Sequence, residues 1–262
     1  MPATTTKQLP SVAPGAAESA SREPDTVEYP EGHWTAQSLW HGDAVRQATV
    51  ALLSHFRRRE DVLVGMELRV YYERGNNKAH LQPDLLMAFG VDRGGNWRSF
   101  KVWEEGKAPD FVLEVASPST AENDAWHKSA EYLAIGVREY WRLDPEGSLL
   151  GRPLEGYEAS GGRYGPVEAA ECAGRGRWLR SEVLELDLGS RSQDGATVVV
   201  FRDPGTGEEF DGGVEEAEQL RRIAEERANA AEKRADSAEE RVQDLEERLR
   251  NLTARRGGQV SG

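Results

Sequence analysis

From about Thr35 to Phe56 the apolar residues Leu39, Trp40, Ala44, Val45, Ala48, Ala51, Leu52 and Phe56 recur at helical spacing, which predicts one amphipathic helix after the turn-like Tyr29-Pro30-Glu31-Gly32. The period then shortens. Val62 to Tyr72, rich in Val, Leu and Tyr, ends at Gly75-Asn76-Asn77, and Asp84 to Phe89 closes on Gly90; the pair reads as a hairpin. A polar loop, Asp92 to Asp110, precedes a third strand, Phe111 to Ala116. Next comes Ser117-Pro118-Ser119-Thr120-Ala121-Glu122, in which Ser119 suits a helix N-cap and Glu122 completes a capping box. The helix it opens should run to Ile135 and stop at Gly136, and Arg138 to Leu143 forms a fourth strand before Asp144-Pro145. Strand, helix and strand within so short a span permit a parallel crossover, with antiparallel alternatives open. Further β segments are expected around Leu149–Glu155, Arg163–Ala169, Trp178–Leu188 and Thr197–Arg202.

Beyond Val214 the pattern changes again, to Glu, Arg and Ala without Pro or Gly as far as Leu252. Ala224, Ala228, Ala231, Ala235, Ala238, Val242, Leu245, Leu249 and Leu252 step alternately by four and three, a heptad seam. Its first half is mostly alanine, so the tail is either a lone exposed helix or a coiled coil. The expected organisation is a disordered leader over 1–28, an α/β domain over 29–210, a helical tail over 214–252 and a disordered terminus over 253–262. The domain should hold a mixed sheet flanked by helices, with a later β extension.

Composition narrows the function. With 33 Lys and Arg against 46 Asp and Glu, the formal net charge is -13, which argues against a general nucleic-acid coat or a membrane-surface binder. One cysteine, Cys172, permits no intrachain disulfide, and no apolar run reaches membrane-spanning length; a cytoplasmic protein is expected. Phosphate-cradling, dinucleotide-binding, zinc-protease and nucleophile-elbow signatures are absent. Histidines 33, 41, 55, 80 and 127 are scattered.

What stands out is acid where apolar residues belong. Asp84 heads the Leu85-Leu86-Met87 strand, and Glu114 interrupts Phe111-Val112-Leu113-Glu114-Val115-Ala116. A carboxylate inside such a strand must be paired, hydrogen-bonded or metal-bound. Two acids on neighbouring strands with a backbone carbonyl nearby form an oxygen site of the kind Mg²⁺ prefers. On the following helix Asp124, Lys128 and Tyr132 lie four apart on one face, where Lys128 can reach the carboxylates or simply pair with Asp124.

Gln82-Pro83-Asp84-Leu85-Leu86, then Phe111 to Thr120, then Asp124, Lys128 and Tyr132 followed by Gly136-Val137-Arg138-Glu139-Tyr140-Trp141 resemble the Uma two family of restriction-endonuclease-like proteins, within the PD-(D/E)XK nuclease superfamily. The resemblance spans roughly Tyr29 to Arg202. It implies a restriction-endonuclease-like fold and a Mg²⁺- or Mn²⁺-dependent endonuclease that hydrolyses phosphodiester bonds of nucleic acid, DNA foremost. Carried over, Asp84, Glu114 and the Val115 carbonyl would bind the metal, Lys128 would orient water or stabilise charge, and Asp124 and Tyr132 would support. The strand position where the superfamily has lysine holds Ala116, so Lys128 stands for a lysine displaced to the helix. Arg69, Arg74, Lys78, Arg93, Arg98, Lys101 and Lys107 are candidate phosphate contacts, and Trp97, Trp103 and Trp126 candidate base platforms. The competing reading is a non-catalytic nuclease-fold scaffold that makes homo-oligomers, or recruits a coiled-coil partner, through 214–252.

Overall fold

The structure is a computed structural model that describes residues 27–29, 39–94, 97–117, 124–170, 177–214 and 216–226, with 229, 233, 234, 238, 241 and 242 of the tail; the side chains of 124–126 lie outside that description. The chain divides into two units, 1–213 and 214–262.

A six-stranded mixed sheet organises the first unit, in the order β1 (Val62–Met66), β4 (Leu85–Phe89), β6 (Phe111–Val115), β7 (Glu139–Leu143), β8 (Leu154–Ser160), β9 (Arg163–Pro166). All neighbours are antiparallel except β6 and β7, which run parallel because helix α3 (Asp124–Ile135) carries the chain between them. The crossover permitted by the sequence is therefore present. Gly136 takes φ +99, the left-handed end that stops α3.

Because β6 is buried on both faces, its alternate residues feed two cores. Phe111, Leu113 and Val115 join Leu85, Met87 and Trp141 beneath helix α1 (Leu39–His55). Val112 joins Leu86, Ala88, Tyr132 and Tyr140 on the side of α3. Trp141 fills its place because β8 offers Gly156 opposite, where a Cβ would sit 2.7 Å from the indole. Against the first core lies a four-stranded antiparallel sheet, β10 (Leu179–Ser181), β11 (Leu186–Gln193), β12 (Ala196–Arg202) and β13 (Glu209–Phe210).

Several expectations need correction. The predicted strand from Val62 to Tyr72 is broken at Glu67, which adopts φ +48. Its first half pairs with β4, as the hairpin reading requires, while Val70–Tyr71 (β2) turns away into a three-stranded sheet with β3 (His80–Leu81) and β5 (Phe100–Lys101). The polar loop 92–110 holds β5 and a one-turn helix, α2 (Val102–Glu105). The strand placed at Leu149–Glu155 begins at Leu154, since Asp144 accepts backbone N–H bonds from Glu146, Gly147, Leu149 and Leu150 and holds them in a turn. Val27 to Tyr29, at the edge of the predicted leader, are described, and Tyr29 packs on Tyr71 and Trp103. The Ser119 cap lies outside the described residues.

In the second unit the described residues from Val214 to Val242 are helical, with an Arg221–Glu225 ion pair one turn apart. Ala224, Ala238 and Val242 of the heptad seam are exposed in the single chain, and nothing among the described residues shows a coiled coil; Ala228, Ala231, Ala235, Leu245, Leu249 and Leu252 lie outside the described residues. No described helix is long and apolar enough to cross a membrane.

Candidate active site

Pairing of Leu85 with Leu113, continued by one residue, sets Asp84 opposite Glu114, on the face of the sheet that α3 covers. Opposite residues on antiparallel strands project to the same side with Cβ atoms about 5 Å apart. The same line runs on: Glu114 pairs with Arg142 on β7, and Arg142 with Glu155 on β8. On the other flank the Glu67 N–H donates to the Asp84 carbonyl at 3.0 Å. Glu114, Arg142 and Glu155 of three adjacent strands, with Asp84 just before β4 and Glu67 just after β1, thus form one transverse row.

At its centre Glu114 is 8% exposed. Lys128 reaches from α3 to donate to Oε2 at 3.2 Å, and one turn later the Tyr132 hydroxyl donates to Oε1 at 2.6 Å. The i, i+4 spacing on α3 is what lets both side chains meet the same carboxylate. Burial, followed by the negative charge of Asp84, pushes the Glu114 carboxyl up to about 7, against the opposing pull of Lys128 and Tyr132. Burial and then the Glu114 charge hold the Tyr132 phenol well above its ordinary value, so it stays a donor. Asp84 is fixed differently: its Oδ2 accepts the Val115 N–H at 2.7 Å and lies 3.4 Å from His41 Nε2.

Asp84, Glu114, Val115, Lys128 and Tyr132 therefore come together, with Val115 engaged through its N–H. The Asp124 side chain lies outside the described residues; Lys128 turns to Glu114. The proposed rim of phosphate contacts is largely committed elsewhere. Lys107 bonds Asp110, Lys101 bonds Glu104 and sits over the Tyr29 ring, Arg93 bonds the Arg57 carbonyl, and Arg69 bonds Gln82. Trp97 stacks on Phe100 and Trp103 packs on Tyr29; the Trp126 side chain lies outside the described residues.

Two members were missed in the sequence. His41 is buried on the apolar face of α1 with Ala44, Val45 and Ala48. Burial lowers its pKa, but the bond and charge of Asp84, with Glu67 and Glu114 behind, outweigh this and raise it overall. The signal was available, because position 41 falls on the helix's apolar stripe. Glu67 carried none, since its place depends on a positive φ that a strand pattern hides.

The donor set suits a small hard cation. No group of three or more His, Cys, Asp or Glu side chains among the described residues is arranged to hold a metal. Mg²⁺, however, commonly takes one or two carboxylates and fills its octahedron with water and substrate oxygens. A buried acid whose proton affinity is raised by burial and by a neighbouring carboxylate gains from a cation placed between the two, and Glu114 beside Asp84 is such a group.

A search of curated proteins found no match. Among solved structures, a "putative nuclease belonging to DUF820" from Anabaena variabilis is similar at a TM-score of 0.36 and 14% identity, covering 52% of this chain and 73% of that one. A family model described as "Putative restriction endonuclease" matches residues 16–190, and by that match the chain belongs to the Uma2 family.

Proposed function

We propose that this protein is a metal-dependent endonuclease that hydrolyses phosphodiester bonds of nucleic acid, with DNA the favoured substrate. The observation that carries the reading is the convergence of Lys128 and Tyr132 on Glu114 beside Asp84. Asp84 and Glu114 would hold one Mg²⁺ or Mn²⁺. When bound, the ion polarises the scissile phosphate and acidifies the attacking water. Everything else is supplied by the chain. Lys128, bonded to Glu114 at 3.2 Å and 26% exposed at the side chain, has its ammonium where a non-bridging phosphate oxygen can share it. Its charge gains most from the transition state, where negative charge on phosphorus-bound oxygens grows. Tyr132 holds Glu114 in one rotamer, and the Val115 N–H with His41 orients Asp84.

The test is nicking of plasmid and cleavage of labelled DNA and RNA with Mg²⁺ or Mn²⁺, for the wild type beside Asp84→Asn, Glu114→Gln and Lys128→Met. Loss of cleavage in all three is expected, with DNA cut faster than RNA; cleavage that persists in all three removes the site.

A second reading, a nuclease-fold scaffold without catalysis, is favoured by Ala116 in place of a strand lysine and by the lack of a three-ligand cluster among the described residues. Calorimetry separates the two. Absence of Mn²⁺ binding, together with self-association that is lost on deleting 214–262, would establish the scaffold.

A further inference from the structure

The heptad seam of the second unit is edged by charge of two kinds. Ala228, Ala235, Val242 and Leu249 take the a positions of the repeat, and Ala224, Ala231, Ala238, Leu245 and Leu252 the d positions. The residue after each of the first four d positions is an acid: Glu225, Glu232, Glu239 and Glu246. The residue before each a position is a base: Arg227, Arg234, Arg241 and Arg248. One edge of the apolar stripe is therefore acidic throughout and the other basic throughout. Among the described residues Glu225, Arg234 and Arg241 are exposed, beside the exposed Ala224, Ala238 and Val242.

A lone helix gives these charges little to bind. Side chains meet along one helix three or four residues apart, and at those distances Arg227 and Arg234 find no acid and Glu232 and Glu239 no base. Arg221 and Glu225, where the seam begins, are the contrast: four apart, they form an ion pair at 3.1 Å. A second copy lying parallel and in register supplies what one helix lacks. Each arginine at a g position then faces the e position of the next heptad on the other chain. Arg227 meets Glu232, Arg234 meets Glu239 and Arg241 meets Glu246 across the interface, and by symmetry each pair occurs twice. Antiparallel copies would set glutamate against glutamate and arginine against arginine, which repels. Val242 at a followed by Leu245 at d suits two strands, and these two with Leu249 and Leu252 supply apolar contact that the alanines before them do not.

We propose that the tail is a self-recognition surface: two copies of this chain associate through 224–252 as a parallel, in-register, two-stranded coiled coil whose direction is set by the arginine and glutamate edges. The two edges complement each other, so a copy of the same chain is the partner that satisfies both. Both first units then leave the coil at the same end. The pairing goes beyond the endonuclease reading and does not depend on it. A catalytic first unit and a scaffold would dimerise alike, and Mn²⁺ binding still separates those two.

Sedimentation equilibrium of the full chain over a concentration series reads the association. The wild type is compared with Arg227→Glu/Arg234→Glu/Arg241→Glu and with Glu232→Arg/Glu239→Arg/Glu246→Arg. Each triple reversal should raise the dimer Kd about 100-fold or more. An equimolar mixture of the two should bring it back near the wild-type value, because an acidic and a basic edge face each other again. Direction is read by oxidation in a Cys172→Ser background, which removes the native thiol. Ala224→Cys and Leu252→Cys proteins, one of them carrying a mass tag, are mixed. Each should form disulfides with its own kind and hardly any with the other, since parallel copies hold those positions about 40 Å apart. A wild type that stays monomeric throughout the series, reversals that leave Kd unchanged, reversals whose mixture does not recover, or a dominant disulfide between the two thiol variants would each overturn the pairing.

Discussion

Glu114 and Glu139 are both carboxylates buried in adjacent parallel strands, and they face opposite ways. Glu139, 1% exposed, is saturated by neutral donors: Trp141 Nε1 at 2.9 Å, the Ser181 hydroxyl at 2.6 Å and the Val183 N–H at 2.9 Å. Burial still raises its pKa, and those three bonds oppose the rise. It is a clasp, joining the large sheet to the segment that opens the four-stranded one. Glu114 instead meets a second acid, an ammonium on a long flexible stem, and a phenol. Buried acid alone does not mark a site. A buried acid held by neutral N–H and O–H groups is finished structurally, whereas one crowded by like charge is incomplete until a cation arrives.

The largest effect should separate their roles. Asp84→Asn is expected to lower cleavage by on the order of 10³-fold, since under the proposed function it removes a metal ligand whose contribution is made mainly in the transition state. Thermal melting should stay close to wild type. Glu139→Ala should do the reverse. Orphaning the donors of Trp141, Ser181 and Val183 costs about 3 kcal/mol, read as a lower midpoint in urea, while cleavage per folded molecule is retained. A Glu139→Ala protein that stays fully stable would remove the clasp, and the contrast with it.

Legibility in the sequence divides along the same line. Asp84, Glu114 and Lys128 could be read because each breaks a pattern or completes a spacing: acid in the Phe111–Ala116 run, and lysine one turn before Tyr132. Glu139 could not, because it follows Arg138 at the polar head of its strand, where a charged residue breaks no apolar run, and its partner Ser181 lies far along the chain. Strands β4, β6 and β7 and the helix between them were legible from local apolar runs and the Gly136 stop. The short β2, β3 and β5 were not, since two-residue strands exist only through the partners they find in three dimensions. The break at Glu67 has the same origin, a backbone conformation imposed from outside.

Titration sharpens the comparison at a smaller scale. In EDTA the folded Glu114 carboxyl takes up its proton near 7, above the ordinary 4.5 of the unfolded chain. Between those values the folded Glu114 binds more protons, so its contribution to stability is full below about pH 4.5 and is lost as pH rises through about 7. The loss is on the order of 1–3 kcal/mol. Glu114→Gln removes the titration, so its melting temperature should exceed the wild type's at pH 8 and converge with it at acid pH. Parallel curves for the two proteins would show that Glu114 carries no such strain.

The smallest effect tests whether Tyr132 tunes Glu114 or only fills space. Its hydroxyl bond lowers the proton affinity of Glu114, so Tyr132→Phe should push that carboxyl higher still. A carboxylate must shed its proton before it takes a metal. Mn²⁺ binding measured by calorimetry should then weaken a few-fold at pH 7, in line with about 1 kcal/mol for one hydrogen bond, and recover at pH 8.5. Equal weakening at both pH values would mean that the ring packs against Tyr140 and the hydroxyl does nothing for the metal.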